Sequence, residues 1–218
     1  MIATEKPNQG QDRAADVVRA RYNRVARVYD LEQLIEEPLV FGRLRKALWA
    51  TAPALGSILE VGVGTGVNMK HYPPAAEMTA IDISDRMLAR ATARAKRDGV
   101  DVRLLLMDAQ HLDFPEKSFD AVVATCVFCS VPDPVAGLRE VRRVLKPGGT
   151  LLLLEHVRSN NPVVGKMMDL INPIAVRLSG ANINRRTVEN LRSAGFADFD
   201  VENHAFGLIK TIRARRPA

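Results

Sequence analysis

Directly behind the short apolar run Ser57–Val61 stands a glycine-spaced turn, Gly62-Val63-Gly64-Thr65-Gly66, and behind that an amphipathic stretch, Val67–Tyr72. Strand, glycine turn and helix in this order open a parallel sheet whose helices cross over its faces. The rest of the chain keeps the rhythm. Apolar runs recur at Met78–Ile83, Val102–Met107, Phe119–Thr125 and Thr150–Leu154, with helical stretches Asp85–Arg97 and Pro134–Leu145 among them. Such alternation implies βαβ units and a parallel sheet covered on both sides. Pro147-Gly148-Gly149 is expected to form a turn separating the helix that ends at Leu145 from the fifth strand. Gly195 is expected to stop a helix over Thr187–Ala194, and Phe196–Asn203 with Leu208–Arg213 to form a closing strand pair.

Ahead of the sheet, Asp12–Ala50 reads as helical, interrupted at Pro38. Val18, Tyr22, Val25 and Tyr29 recur at helical spacing and form an apolar stripe, while Arg19, Arg21, Arg24 and Arg27 crowd the remaining surface. Residues 1–50 are therefore expected to form a helical cap, and residues 51–218 the ligand-binding domain. With 47% hydrophobic residues the chain has material for one full core. Its two cysteines, Cys126 and Cys129, provide no disulfide framework, which suits a reducing cytoplasm. Met1–Arg13 is polar, unlike a signal peptide, and no apolar run approaches the ~20 residues a bilayer crossing needs.

In open parallel sheets, ligands bind beyond the carboxyl ends of the strands. The loop here is G-x-G-x-G. A dinucleotide loop, G-x-G-x-x-G, would need glycine at 67, where Val stands. Glu60 precedes the loop, Asp82 is expected to end the second strand and Asp108 the third. A carboxylate at Asp82 can accept both hydroxyls of a ribose, and one at Asp108 an adenine amino proton. Ordinary helix capping is the alternative for both.

On these residues the chain resembles the class I S-adenosylmethionine-dependent methyltransferases, in the branch called type 11. The resemblance is carried by Leu59-Glu60-Val61-Gly62-Val63-Gly64-Thr65-Gly66, Ile81-Asp82, Met107-Asp108-Ala109, Ser118-Phe119-Asp120 and Leu145-Lys146-Pro147-Gly148-Gly149. It implies a Rossmann-like α/β fold, with a seven-stranded, mostly parallel sheet ending in an antiparallel hairpin. It also implies S-adenosylmethionine as cofactor, S-adenosylhomocysteine as product, and no metal. Cofactor contacts carried over are Tyr29, Glu60, Gly62, Gly64, Gly66, Asn68, Asp82, Met87, Asp108, Ala109 and Thr125. Tyr22-x-x-x-Ala26-x-x-Tyr29-Asp30 resembles the N-terminal signature of quinone C-methyltransferases and of bacterial phospholipid N-methyltransferases. Glu155-His156-Val157 and Gly180-Ala181-Asn182 look more like the lipid-linked groups. Asn68-x-x-x-Tyr72-Pro73-Pro74 and Cys129-Ser130-Val131 resemble animal thiol methyltransferases.

A sulfonium methyl needs little activation, so an in-line nucleophile shielded from water supplies most of the acceleration. An amine acceptor must be neutral when it attacks, and His156 is the favoured proton acceptor, a structural hydrogen bond its alternative. Tyr22 and Tyr29 are expected to cover the cofactor or orient the amine, with helix packing as the plain reading. Cys126 and Cys129, lacking a second pair, are expected to line the acceptor pocket or be buried.

Thr125-Cys126-Val127-Phe128 stands where several nucleobase-modifying relatives carry Asn/Asp-Pro-Pro-aromatic, so nucleic acid is not expected as a partner. A net charge of +6 needs another explanation. Arg13–Arg27 holds five arginines against Asp16, and the tail from Leu208 adds Lys210, Arg213, Arg215 and Arg216 without an acid. A basic helix with an apolar stripe suits an anionic membrane surface, a solvated arginine face being its alternative. Val163–Ile171 fits a hydrophobic cap over a lipidic acceptor, and Arg177, Arg185 and Arg186 can contact its phosphate. The expectation is a peripheral membrane enzyme that methylates phosphatidylethanolamine towards phosphatidylcholine. Quinone-precursor C-methylation, small-thiol methylation and a non-catalytic cofactor-binding regulator are the alternatives; the oligomeric state stays open.

Overall fold

The computed structural model describes residues 9–36, 41–178 and 181–217. In chain order they form α1 (Gln9–Glu36), α2 (Gly42–Trp49), β1 (Leu55–Val61), β2 (Ala75–Asp82), α3 (Asp85–Asp98), β3 (Arg103–Leu106) and β4 (Phe119–Thr125). Then follow α4 (Pro134–Val144), β5 (Leu145–His156), α5 (Pro162–Leu178), α6 (Thr187–Ser193), β6 (Asp198–His204) and β7 (Ile209–Arg215). The seven strands make one sheet, in the order β3-β2-β1-β4-β5-β7-β6. The first five run parallel, and β7 lies antiparallel between β5 and β6. Strand order reverses between β1 and β4, which opens a crevice beyond their carboxyl ends.

The buried centres of β4 and β5, Ala121–Ala124 and Leu151–Leu154, read as apolar runs because both their faces are covered. On β4 and β5, Val122, Ala124, Leu151 and Leu153 join the core beneath α4 and α6, while Ala121, Val123, Leu152 and Leu154 face α2 through Leu48 and Trp49. Period-two alternation thus feeds two cores from one strand. Helix ends are set locally. The Ser84 hydroxyl accepts from the Met87 N–H to start α3, and the Asp133 carboxylate from the Val135 and Ala136 N–H groups, ahead of Pro134, to start α4. The proposed interruption at Pro38 lies outside the described residues.

Three local expectations are corrected. Val67–His71 is a single 3-10 turn, closed by Tyr72, whose extended backbone (φ −60°, ψ 135°) is what the following proline favours. β3 ends at Leu106, leaving Asp108 two residues beyond it. Pro147-Gly148-Gly149 does not separate α4 from β5 but lies inside β5 as a bulge. Leu145 already pairs with Phe119, and the ladder resumes at Ala121 with Thr150. Gly148 takes a left-handed φ of 73°, and its N–H donates to the Arg216 carbonyl at 3.0 Å.

Candidate active site

The turn after β1 is held from below. The N–H groups of Gly62 and Val63 both donate to the Ile81 carbonyl, at 2.8 and 2.9 Å. Gly62 has φ +70°, and a Cβ there would stand 2.4 Å from Val127 Cγ2. At Gly64 a Cβ would meet nothing nearer than Tyr29 Cε1 at 4.0 Å, so this residue leaves its backbone open to the crevice. Gly66 is different: its Cβ would strike Met69 Sδ at 2.8 Å, and it is absent from the cavity wall. It serves packing.

Over this turn lies a mostly apolar cavity of about 670 Å³, counted with the open solvent at its mouth. Val18, Tyr22 and Tyr29 of α1 form one wall. That helix is fastened across α3, where Asn23 Nδ2 donates to Asp85 Oδ1 at 2.6 Å and the Ser84 hydroxyl donates to Asn23 Oδ1 at 2.5 Å. Tyr22 and Ser130 share a hydroxyl–hydroxyl bond of 2.7 Å across the cavity. Burial pushes the phenols of Tyr22 and Tyr29 well above their ordinary pKa, so both are neutral hydrogen-bonding groups and not proton-accepting phenolates.

Asp82, at the end of β2, reaches the opposite wall. Its Oδ2 accepts from the Gly64 N–H and its Oδ1 from the Ser84 N–H, each at 2.8 Å. A carboxylate offers about four acceptor positions, so roughly two stay available to a ligand. Burial raises its pKa, against the pull of those N–H groups. Asp108 also lines the cavity, with its carboxylate gripped by Gln110: Nε2 reaches both oxygens at 3.0 and 3.2 Å. Gln110 is in turn fixed by the Asp133 N–H at 2.9 Å. Gly62, Met87, Ala109 and Thr125 complete the proposed cofactor contacts on the wall.

Glu60 and Asn68 stand behind the turn and do not line the cavity. Glu60 shares its strand face with Ile58, the α2 side, because side chains alternate along β1. There its carboxylate accepts from Asn68 Nδ2 at 2.5 Å and from the Tyr72 hydroxyl. Arg45, buried in α2, donates to Asn68 Oδ1 at 3.0 Å and to Thr125 Oγ1 at 2.5 Å. Desolvation raises Glu60 to about 6 despite these partners. The network ties α2 to the underside of the glycine turn, a role no local signal at Arg45 announces.

His156 is likewise absent from the cavity wall. It falls on the α2 side of β5, with its ring 5.9 Å from that of Phe41, and burial lowers its pKa. A poor base off the wall makes a weak proton acceptor. Its neighbour Glu155 points the other way. This carboxylate is fully buried, and its Oε1 accepts from the N–H groups of Val127 and Phe128, both at 3.0 Å, beneath the cavity floor. Its Oε2 has no hydrogen-bond partner among the described residues, and burial lifts the group to about 7. Cys126 lines the cavity at φ +57°, while Cys129 is buried beneath it, its thiol pushed far up in pKa by burial. Among the described residues no three His, Cys, Asp or Glu side chains cluster as a metal site.

Glu60 and Glu155 make stability depend on pH. Their native pKa values, about 6 and about 7, exceed the ~4.3 of an unfolded glutamate. Their stabilisation is complete below that unfolded value and is lost as pH rises through the native ones. His156, depressed, contributes the opposite slope near its ordinary pKa. The urea midpoint of the parent minus that of Glu155→Gln is therefore expected to fall between pH 5 and pH 8. A difference that stays constant over that range would contradict the protonated reading of Glu155.

Comparison with known proteins places this geometry. A methyltransferase-domain family model matches residues 59–153, which include the glycine turn, Asp82 and Asp108. The chain is 37% identical over 153 residues to a phosphatidylethanolamine N-methyltransferase of Cereibacter sphaeroides, covering 68% of this chain and 72% of that one. It is 30% identical over 151 residues to a thiol S-methyltransferase of Rattus norvegicus, spanning 67% of this chain and 62% of the relative. A ubiquinone/menaquinone biosynthesis C-methyltransferase of Bdellovibrio bacteriovorus is 29% identical over 90% of both chains. Among solved structures, a methyltransferase of Thermotoga maritima shares the fold at TM-score 0.69 and 22% identity, over 90% of this chain and 99% of that one.

Proposed function

This chain belongs to the class I S-adenosylmethionine-dependent methyltransferases, and from that premise we propose that it methylates the amine of phosphatidylethanolamine at a membrane surface. The observation that carries the reading is the charge of the cavity. Its titratable wall consists of Asp82, Asp108, two neutral phenols and Cys126, with no lysine, arginine or histidine among the described residues. Such a wall favours cationic ligands, a sulfonium and an ammonium included, over anionic ones. The relative of Cereibacter sphaeroides supports the same acceptor.

S-adenosylmethionine, when bound, supplies a methyl group already activated on sulfur. The remaining work falls to the chain. Asp82 offers its open acceptor positions to the ribose hydroxyls, and Asp108, held by Gln110, faces the adenine side. The backbone at Gly62 and Gly64 allows close approach. Val18, Tyr22 and Tyr29 close the crevice against water, which strengthens every polar contact inside it. The Tyr22–Ser130 hydroxyl pair orients the acceptor nitrogen. That nitrogen is an ammonium in water, with a pKa of about 10, and gives its proton to solvent at the open mouth before the crevice closes and its lone pair attacks, since no wall residue is a ready base. Carbon–sulfur cleavage and carbon–nitrogen formation then leave a secondary ammonium and a thioether.

Membrane contact is part of the proposal. No helix of the described residues is long and apolar enough to cross a bilayer. The stretch Val163–Ile171, expected to cap the acceptor, does not reach the cavity. It lies in α5, whose Val163, Met167, Leu170 and Ile174 form one stripe turned towards solvent, Leu170 being 79% exposed. That stripe and the exposed Arg19, Arg24 and Arg27 of α1 provide apolar and cationic contact for a lipid surface. Quinone C-methylation is the second reading, favoured by a relative matched over 90% of both chains.

Methyl-labelled S-adenosylmethionine is expected to label phosphatidylethanolamine in liposomes, with mono- and dimethylated lipids appearing in sequence. Label entering demethylated quinone precursors or small thiols, with none in the lipid, would reassign the acceptor.

A further inference from the structure

A second cavity lies on the other side of the segment that floors the first. It is bounded by the chain leaving β5, by the start of α6 and by β7, and Arg158, Arg185, Arg186, Arg192 and Lys210 all line it. Among the described residues Glu189 is the one carboxylate on that wall. Two of the cations are already committed. Arg158 forms a forked pair with Asp169 of α5 at 2.8–3.1 Å, and Arg185 donates to the carbonyls of Cys129 and Val131 at 3.3 and 2.6 Å. Arg192 lies 5.4 Å over the Phe199 ring, a neutral partner. Lys210 is only 5% exposed and donates to the Asn203 side-chain oxygen, a neutral partner.

One further observation points to a ligand. Thr187 is 1% exposed, lines this cavity, and its hydroxyl has no hydrogen-bond partner among the described residues. Buried hydroxyls are nearly always paired, so an orphan inside a cationic cavity calls for an acceptor from outside the chain. An oxyanion meets that need and balances the charge as well. A phosphate group has enough acceptor oxygens to take the hydroxyl proton, the Lys210 ammonium and an arginine fork together.

We infer that this second cavity is a phosphate-binding site, with the Thr187 hydroxyl, Lys210, Arg186 and Arg192 as its donors. The site is separate from the methyl-transfer crevice, and its existence does not depend on which acceptor that crevice takes. Arg185 joins the two: it lines the phosphate cavity while gripping the Val131 carbonyl, and Val131 lines the crevice. The same chemistry serves a free phosphate ester or the phosphate of a lipid headgroup.

Thermal unfolding of the full chain, titrated with inorganic phosphate against chloride at equal ionic strength, tests the site. Phosphate is expected to raise the unfolding midpoint of the parent, and chloride to leave it unchanged. Thr187→Val keeps shape and removes only the unpaired hydroxyl, so the ligand-free protein should fold at least as stably. Its apparent phosphate affinity is expected to fall roughly tenfold, the worth of one charge-assisted hydrogen bond. Arg186→Ala with Arg192→Ala is expected to abolish the stabilisation. Sedimentation with phosphatidylglycerol vesicles then separates the sources. Vesicle binding weakened by the arginine pair and competed by free phosphate assigns the lipid headgroup; vesicle binding unaffected by both assigns a soluble phosphate ester. Phosphate stabilisation absent from the parent, or kept in full by both variants, overturns the site.

Discussion

Asp82→Ala is expected to weaken S-adenosylhomocysteine binding by about 100-fold or more, since two charge-assisted hydrogen bonds are worth roughly 3 kcal/mol or above. The carboxylate works in two directions. Towards the protein it holds the Gly64 and Ser84 N–H groups at 2.8 Å, and so sets the shape of the turn and the start of α3. Towards the cavity it keeps its remaining acceptor positions for a ligand diol. Alanine removes both functions, leaving two backbone donors without their partner. The folded state also loses a buried carboxylate whose pKa is raised, a desolvation cost that offsets part of the lost hydrogen bonding. Stability is therefore also expected to fall, by less than the lost hydrogen bonds alone would take. Calorimetric titration alongside urea unfolding separates the two. Binding within threefold of the parent, in a folded variant, would remove Asp82 from the nucleoside site.

Gly62→Ala is expected to cost about 3 kcal/mol of stability, combining left-handed backbone strain with overpacking. The added methyl would stand 2.4 Å from one Val127 methyl and 3.0 Å from the other, at φ +70°. Val127 cannot easily retreat, because its N–H is fixed to the buried Glu155. At ~2–4 °C per kcal/mol for a chain of this size, the unfolding midpoint should drop by roughly 6–12 °C. Gly99→Ala provides the control. Gly99 shares the left-handed backbone, φ +66°, but a Cβ there meets nothing within 4 Å, so only the strain remains. Equal losses at the two positions would show that Val127 yields and that the close approach does not matter.

Much of the fold was legible in the chain itself. Phe119–Thr125 was readable to the residue, because its centre, Ala121–Ala124, is covered on both faces and is apolar without a break. The closing strand pair was legible to within two residues at each end, its antiparallel course coming from the family resemblance. Pro147-Gly148-Gly149 misled, since proline and glycine signal a turn from local conformation alone. Whether that turn lies between elements or within a strand depends on Leu145 pairing with Phe119, 26 residues earlier.

The site divides along the same line. Gly62, Gly64 and Asp82 could be found because a tight turn and an acid at a strand end leave local traces. Glu60 and His156 occupy equally suggestive places but face α2, and only the registered sheet decides which face each residue takes. Gln110 went unnoticed, and Ser130 and Glu155 stood out only inside resemblance motifs with no role attached, because their importance comes from partners. Ser130 bonds to Tyr22, 108 residues away, and Glu155 holds backbone groups 27 and 28 positions back.

The amino-acid order by itself determined that this chain forms a parallel sheet with a glycine turn at its switch point and an acid beside it. Those features follow from backbone sterics and from the two-residue and 3.6-residue periods, which involve only near neighbours. Tertiary structure alone decided which carboxylates line the crevice, which phenols stay neutral, and where an unpaired hydroxyl borders a cluster of cations. Desolvation and charge pairing are set by atoms brought together from distant parts of the chain, and no local pattern records them.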